Sequence, residues 1–177
     1  IKSIDSDHST MRALFYDAAQ HIHQVSGTTA HTIDSAGIVT QALQPAFGAR
    51  RNTNLSGFDA QSLTTVVAFN LEFETDRNSD YDTSTGLFTA PVDGTYWFQA
   101  SVYSNHNFQQ AWLIVNSARH NWTDVVYSAA YNIFTYSGFV ELDASDTVGF
   151  HPYNGSQSSV LIYDNNNHTY FRGGLLY

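Results

Sequence analysis

The stretch Asp76 to Ala100, DRNSDYDTSTGLFTAPVDGTYWFQA, decides how the rest of the chain is read. Two turn clusters cut it, Asn78-Ser79-Asp80 and Val92-Asp93-Gly94, with Pro91 just ahead of the second. Pro presets the backbone for a turn, Gly and Asn supply its unusual dihedrals, and Asp caps its amides. Beyond Gly94, Tyr96 and Phe98 stand two residues apart, which places them on one face of a strand running from Thr95 to Tyr103. The same pattern recurs outward from there. Thr64 to Phe73, Ala111 to Val115, Ile133 to Leu142, Thr147 to His151, Val160 to Tyr163 and Tyr170 to Tyr177 read as strands. Turn formers separate them at Ser104 to Gln110, Asp143 to Asp146, Asn154-Gly155 and Asp164 to Asn167. Strands at this spacing, with no helices between them, predict an all-β sandwich or jelly roll.

Composition points the same way. The 12 Phe, 11 Tyr and 3 Trp together outnumber the 7 basic and 16 acidic side chains, so apolar burial dominates. A chain of 177 residues with 42% hydrophobic content buries roughly 70% of its unfolded surface, enough for one substantial core. Few Lys and Glu and many Asn, Ser, Thr and Tyr favour strands and turns over helices. The formal net charge is −9 and Lys2 is the only lysine, which leaves too little cationic surface to neutralise phosphates or hold an anionic lipid face. Nucleic-acid and membrane partners are therefore not expected. The absence of cysteine removes disulfides, thiolate zinc sites and cysteine nucleophiles. No apolar run approaches the roughly 20 residues of a membrane-spanning helix, and no stretch reads as a signal peptide.

Residues 1–43 read differently. Met11, Leu14, Phe15, Ala18 and Ile22 fall at helical spacing, but Leu14 to Tyr16, Gln20 to Val25, Thr29 to Ile33 and Ile38 to Thr40 also read as short strands between turn formers. The strand reading is preferred. Such short strands cannot supply two packed layers, so this region is expected to be a β-rich stalk that buries its apolar edges against other chains.

The stretch Asp76 to Ala100 strongly resembles the globular head of the C1q family, which shares its jelly roll with tumour necrosis factor. Asp76, Tyr81, Phe88, Gly94, Tyr96 and Phe98 fall at the family's spacing. Asn70, between Phe69 and Leu71, stands where the family has Phe, and Ala100 stands where it has a closing aromatic. Pro45-Ala46-Phe47-Gly48-Ala49 resembles the family's opening strand, and Phe171, Gly173, Leu175, Leu176 and Tyr177 its last. The resemblance spans about residues 45–177. It implies a ten-stranded jelly roll, a homotrimer about a three-fold axis, and a non-catalytic head at the C-terminal end of an elongated molecule. The collagen repeat of the complement relatives is absent from the sequence. Asp34 to Ala49, DSAGIVTQALQPAFGA, is instead similar to the segment preceding C1q-like tips in phage and bacterial fibre proteins. The resemblance thus implies a stalk over residues 1–43 and a head over 44–177, carried outside the cell on a virion or bacterial surface. Its partner would be a cell-surface receptor, in particular a glycan, and the alternative is a purely structural trimer cap. Surplus aromatics on outward strand faces are expected to be buried only when three chains assemble.

Three loops suit recognition, because amides meet sugar hydroxyls while aromatic rings stack on sugar faces. They contribute His106, Asn107, Phe108 and Gln110, then Trp122 and Asp124, then Tyr153 and Asn154 as expected ligand contacts. Phe108 and Trp122 have an alternative role in packing against a neighbouring subunit. His21-Ile22-His23 is a metal candidate: on a strand both rings share a face, and in a parallel in-register trimer six imidazoles converge on the axis. On a helix the rings point about 200° apart and the idea fails. Asp80 and Asp82 suggest calcium or, more simply, solvated turn residues. Ser156 and Ser158 near His151, and the pair Asp143 and Asp146, form no converging nucleophile and base, so no catalytic residue and no required cofactor is expected.

Overall fold

The computed structural model describes residues 21–25, 27–41, 43–74, 76–124, 132–164 and 168–177, and no α-helix occurs among them. The expected strand at Leu14 to Tyr16 and the helical pattern of Met11 to Ala18 lie outside the described residues. Two compact units make up the chain, Ile1–Ala42 and Leu43–Tyr177.

In the first unit β1 (His21–Val25), β2 (Thr28–Ile33) and β3 (Val39–Gln41) form an antiparallel sheet in that order. Asp34 makes the β2–β3 turn, its Oδ1 accepting from the amides of Ala36 at 2.8 Å and Ile38 at 2.9 Å. Gly37 follows at φ +80°, a backbone conformation that glycine adopts without steric cost.

The second unit holds β4 (Ala46–Arg50), β5 (Leu55–Phe58), β6 (Leu71–Glu74), β7 (Tyr81–Asp82), β8 (Leu87–Thr89) and β9 (Gly94–Ser104). It continues through β10 (Gln110–Val115), β11 (Ala118–Asp124), β12 (Asn132–Leu142), β13 (Thr147–Tyr153), β14 (Val160–Ile162) and β15 (Tyr170–Leu175). One sheet has the order β11-β10-β13-β8-β7. The other runs β12-β9-β15-β4-β6, and the short strands β14 and β5 extend it beside the end of β9. Five strands facing five make the ten-stranded jelly roll, with β5 and β14 as an additional short pair.

Alternation on β9 builds the core. Tyr96, Phe98, Ala100 and Val102 point inward and meet Phe134, Tyr136, Val140 and Leu142 of β12 and Val148 and Phe150 of β13, all buried. Ala100, standing where an aromatic was expected, has a packing reason. It is paired on one side with Tyr136 and on the other with Phe171, and Ala49 flanks Phe171 from the far side. Small residues on both neighbours leave room for the ring. Gly86 serves the same packing from a turn: at φ +79° an added Cβ would lie 2.6 Å from the carbonyl oxygen of Val67. Asn70, the other departure, lies outside the core contacts and bonds the 52–53 loop, donating to Asn52 Oδ1 at 2.7 Å and to Thr53 Oγ1 at 3.1 Å.

The expected strand from Thr64 to Phe73 is shortened to β6. Residues 64–70 are not laddered because their backbone groups are taken one at a time. The carbonyl of Thr65 accepts from His151, that of Ala68 from Arg51, the amide of Val67 donates to Phe150 at 2.9 Å and that of Phe69 to the Tyr81 hydroxyl at 3.1 Å. Strand β11 was not expected, since ARHNWTD lacks apolar alternation. Its pairing follows from a tight hairpin at Asn116-Ser117, both at positive φ.

Two buried polar groups give opposite expectations. Arg51 donates to the carbonyls of Thr53, Ala68 and Asn54, and burial pushes its guanidinium below the usual arginine range. Arg51→Met keeps the bulk but strips three acceptors of a charged donor, and should lower stability by about 3 kcal/mol in urea unfolding. A loss below about 1 kcal/mol would show that water replaces the guanidinium. The Tyr136 hydroxyl is buried with no hydrogen-bond partner among the described residues, and burial pushes its pKa up to about 12. Tyr136→Phe removes that unpaired group and should raise stability by about 1 kcal/mol. A decrease would mean that the hydroxyl is bonded after all.

Candidate functional site

The first and third of the expected recognition loops meet at one end of the head. The 105–109 loop follows β9, and the 154–159 loop follows β13. The Asn154 side chain donates to the Asn107 carbonyl at 2.7 Å and accepts from the Ser156 amide at 2.8 Å. Gln109 Oε1 accepts from the Gly155 amide at 2.9 Å, Gln61 Nε2 donates to the Gly155 carbonyl at 2.9 Å, and the Gln109 amide bonds the Tyr153 carbonyl at 2.7 Å. Much of the amide chemistry expected to meet a ligand thus locks the loops to each other. Asn154 is 4% exposed and acts as a clasp between loops, which corrects its expected role as a ligand contact.

Phe108 is a second correction. It is 1% exposed and packs edge-on against Phe134 at 5.5 Å within its own chain. Its ring is offered neither to a sugar nor to a neighbouring subunit, because the 105–109 loop folds it over the open end of the core. His106, Asn107, Gln110 and Tyr153 stay half-buried at this end.

Strand pairing gathers the rest into rows on one sheet. Gln110 lies opposite Tyr153 on β13 and opposite Asp124 on β11, and two residues on Trp112 lies between His151 and Trp122. The side chains of Trp122 and Asp124 lie outside the described residues. Sequence reading overlooked what this face contains. Trp112 stacks on Tyr153 at 4.3 Å and on His151 at 5.3 Å, the Arg119 guanidinium sits 4.6 Å over its ring, and its Nε1 donates to Gln110 Oε1 at 3.2 Å. The signal was present in QAWLIV, where Ala111 and Leu113 face the core and Trp112 falls on the opposite side. This ladder stiffens the sheet that carries the loops, and Tyr153 and Arg119 are its accessible members.

The residues weighed for catalysis have structural duties. His151 is fully buried, its Nδ1–H donating to the Thr65 carbonyl, and burial holds the imidazole below the usual histidine range and so neutral. Asp146 accepts from the Asn116 side chain at 2.6 Å and from the Asp143 amide at 3.0 Å, bonds that hold its carboxyl below the usual range. Asp82 likewise caps its own turn through Ser84. Among the described residues no group of three His, Asp or Glu side chains stands clustered around a point where a metal ion would sit. His21 and His23 do lie on a strand, as the shared-face reading requires.

Comparison with known proteins places this geometry. The C1q domain family model matches residues 46–176. The globular domain of zebrafish complement 1qA is similar in structure, with 24% identity over 76% of this chain and 98% of that one, at a TM-score of 0.56. The Eiger TNF of S. frugiperda is similar at 12% identity over 76% of this chain and 93% of that one, at a TM-score of 0.51. No curated protein matches the chain.

Proposed function

Because this chain belongs to the C1q domain family, we propose that residues 44–177 are the homotrimeric, non-catalytic head of a fibre and that residues 1–43 are part of its stalk. C1q and TNF-like domains are typically extracellular trimers that bind receptors without catalysing a reaction. The observation that carries the reading is the outward face of β9 and β12. Phe139, 60% exposed, lies opposite Trp97, and Ile133, 44% exposed, lies opposite Tyr103. Exposed apolar side chains on an 11-residue edge strand, here set among the outward Thr135, Ser137 and Glu141, are an aggregation hazard in a monomer and suit an interface in an oligomer. The low charge of the chain suits subunits that cover one another's sides.

The receptor proposed is a glycan on a cell surface, with the parent fibre that of a phage or a bacterium. Supporting it are the rigid, interlocked loops and the half-buried Tyr153, His106 and Gln110 at one end, where an aromatic face lies beside polar edges. Three such ends on one head give avidity on a dense glycan surface. A glycan array and whole-cell binding test this. Tyr153→Ala combined with His106→Ala should reduce cell binding by about tenfold or more through the lost avidity, with the assembled mass unchanged. Full binding by that variant overturns the choice of loops, and a head that binds no glycan or cell favours the structural cap.

A further inference from the structure

We propose that His21, His23 and His31 form a transition-metal site closed within a single chain. Register is the observation. On β1, His21 and His23 are two residues apart and so share a face. The antiparallel partner of His23 on β2 is His31, and directly opposed residues of an antiparallel pair project from the same face. The rings of His23 and His31 are in contact, with centroids 4.2 Å apart and planes 16° from parallel. Sequence reading found the first two histidines and needed three chains to complete a ligand set, whereas the hairpin supplies a third ligand inside the chain.

The donor set selects the ion. The neighbouring carboxylate, Asp34, is occupied in capping its turn, and the remaining described residues paired across this face are Ile33, Val39 and Gln41. Three imidazole nitrogens with one position left to water suit Zn²⁺, Ni²⁺ or Cu²⁺, while Ca²⁺ and Mg²⁺ require oxygen donors. Opposed Cβ atoms on paired strands lie about 5 Å apart, and residues i and i+2 of one strand about 7 Å apart. Imidazoles span these separations with metal–nitrogen bonds of about 2.1 Å. As they stand the three side chains do not converge on a metal position: the stacked rings of His23 and His31 present faces rather than nitrogens to one another, so binding requires these side chains to turn about their torsions. Exposed strand side chains make such rotamer changes in nanoseconds or less.

The test is calorimetric titration of the untagged full chain with Zn²⁺ and, separately, Ni²⁺, followed by histidine-ring NMR. The expected result is one ion per chain, with the ring signals of His21, His23 and His31 shifting together. His31→Gln should weaken binding by at least about 100-fold, beyond the loss of an outer-shell partner, while His120→Gln, on the exposed face of β11, leaves it unchanged. One ion per three chains, with the His31 signals still and His31→Gln silent, overturns the proposal in favour of an axial site between chains. No binding of either ion overturns it outright. The NMR readout uses unaltered protein, so a misfolded variant does not decide the matter.

Discussion

Phe171→Ala is expected to destabilise the head by about 4 kcal/mol, in the range for deleting a fully buried aromatic from a core that cannot collapse around the gap. Phe171 is fully buried and touches five other rings: Phe47 at 5.1 Å, Phe98 at 5.6 Å, Phe69 at 5.8 Å, Tyr81 at 6.2 Å and Phe150 at 6.3 Å. Its in-register neighbours are Ala49 and Ala100, whose side chains are too short to move into a vacated site. The cavity would therefore persist, and both sheets would lose contact through it. Urea unfolding should show the midpoint fall, and thermal unfolding should shift down by roughly 10 °C or more. A change under about 1 kcal/mol would mean that the ring is not the hub of the core.

Phe139→Asp is expected to convert the proposed trimer of three 19.7 kDa chains into monomers without unfolding the head. The side chain points out from an edge strand and is 60% exposed in one chain, so its replacement leaves the buried core untouched. In an assembled interface the same carboxylate would be taken out of water beside Trp97, its cross-strand neighbour, at a cost of several kcal/mol. Light scattering reads the mass, and far-UV circular dichroism checks the fold. A variant that remains trimeric shows that the interface lies elsewhere. A wild-type chain that is monomeric removes the trimer altogether.

The core was legible in sequence because it is written in nearest-neighbour terms. Tyr96 and Phe98 alternate, Gly94 and Pro91 punctuate, and β9, β10, β12, β13 and β15 fall where those local signals place them. Features that depend on what lies across a sheet or beneath a loop were not legible. Residues 64–70 look like a strand by residue type, yet Arg51, Phe150, His151 and Tyr81 take their backbone bonds from four directions. Phe108 looks like an exposed loop aromatic, and only Phe134 on β12 reveals it as core. His31 stands eight positions beyond His23, a separation with no meaning until the hairpin register makes them neighbours. Trp112 reads as one residue in an apolar run, and its stacking on Tyr153 and under Arg119 needs three strands to exist.

Strand β15 lies between β9 and β4, pairing with both along most of its length. The first strand of the head therefore has to wait for the last one. During synthesis β4 leaves the ribosome long before Tyr170–Leu175, and until that segment appears β4 and β9 have no shared neighbour. Such non-local closure gives the fold a high contact order, which slows its completion. It also leaves the nascent head open to mispairing, since the edges of β4 and β9 that β15 covers stay unpaired while translation continues. The time the polypeptide spends on the ribosome, as well as the contacts in the finished molecule, thus limits how safely this head is made.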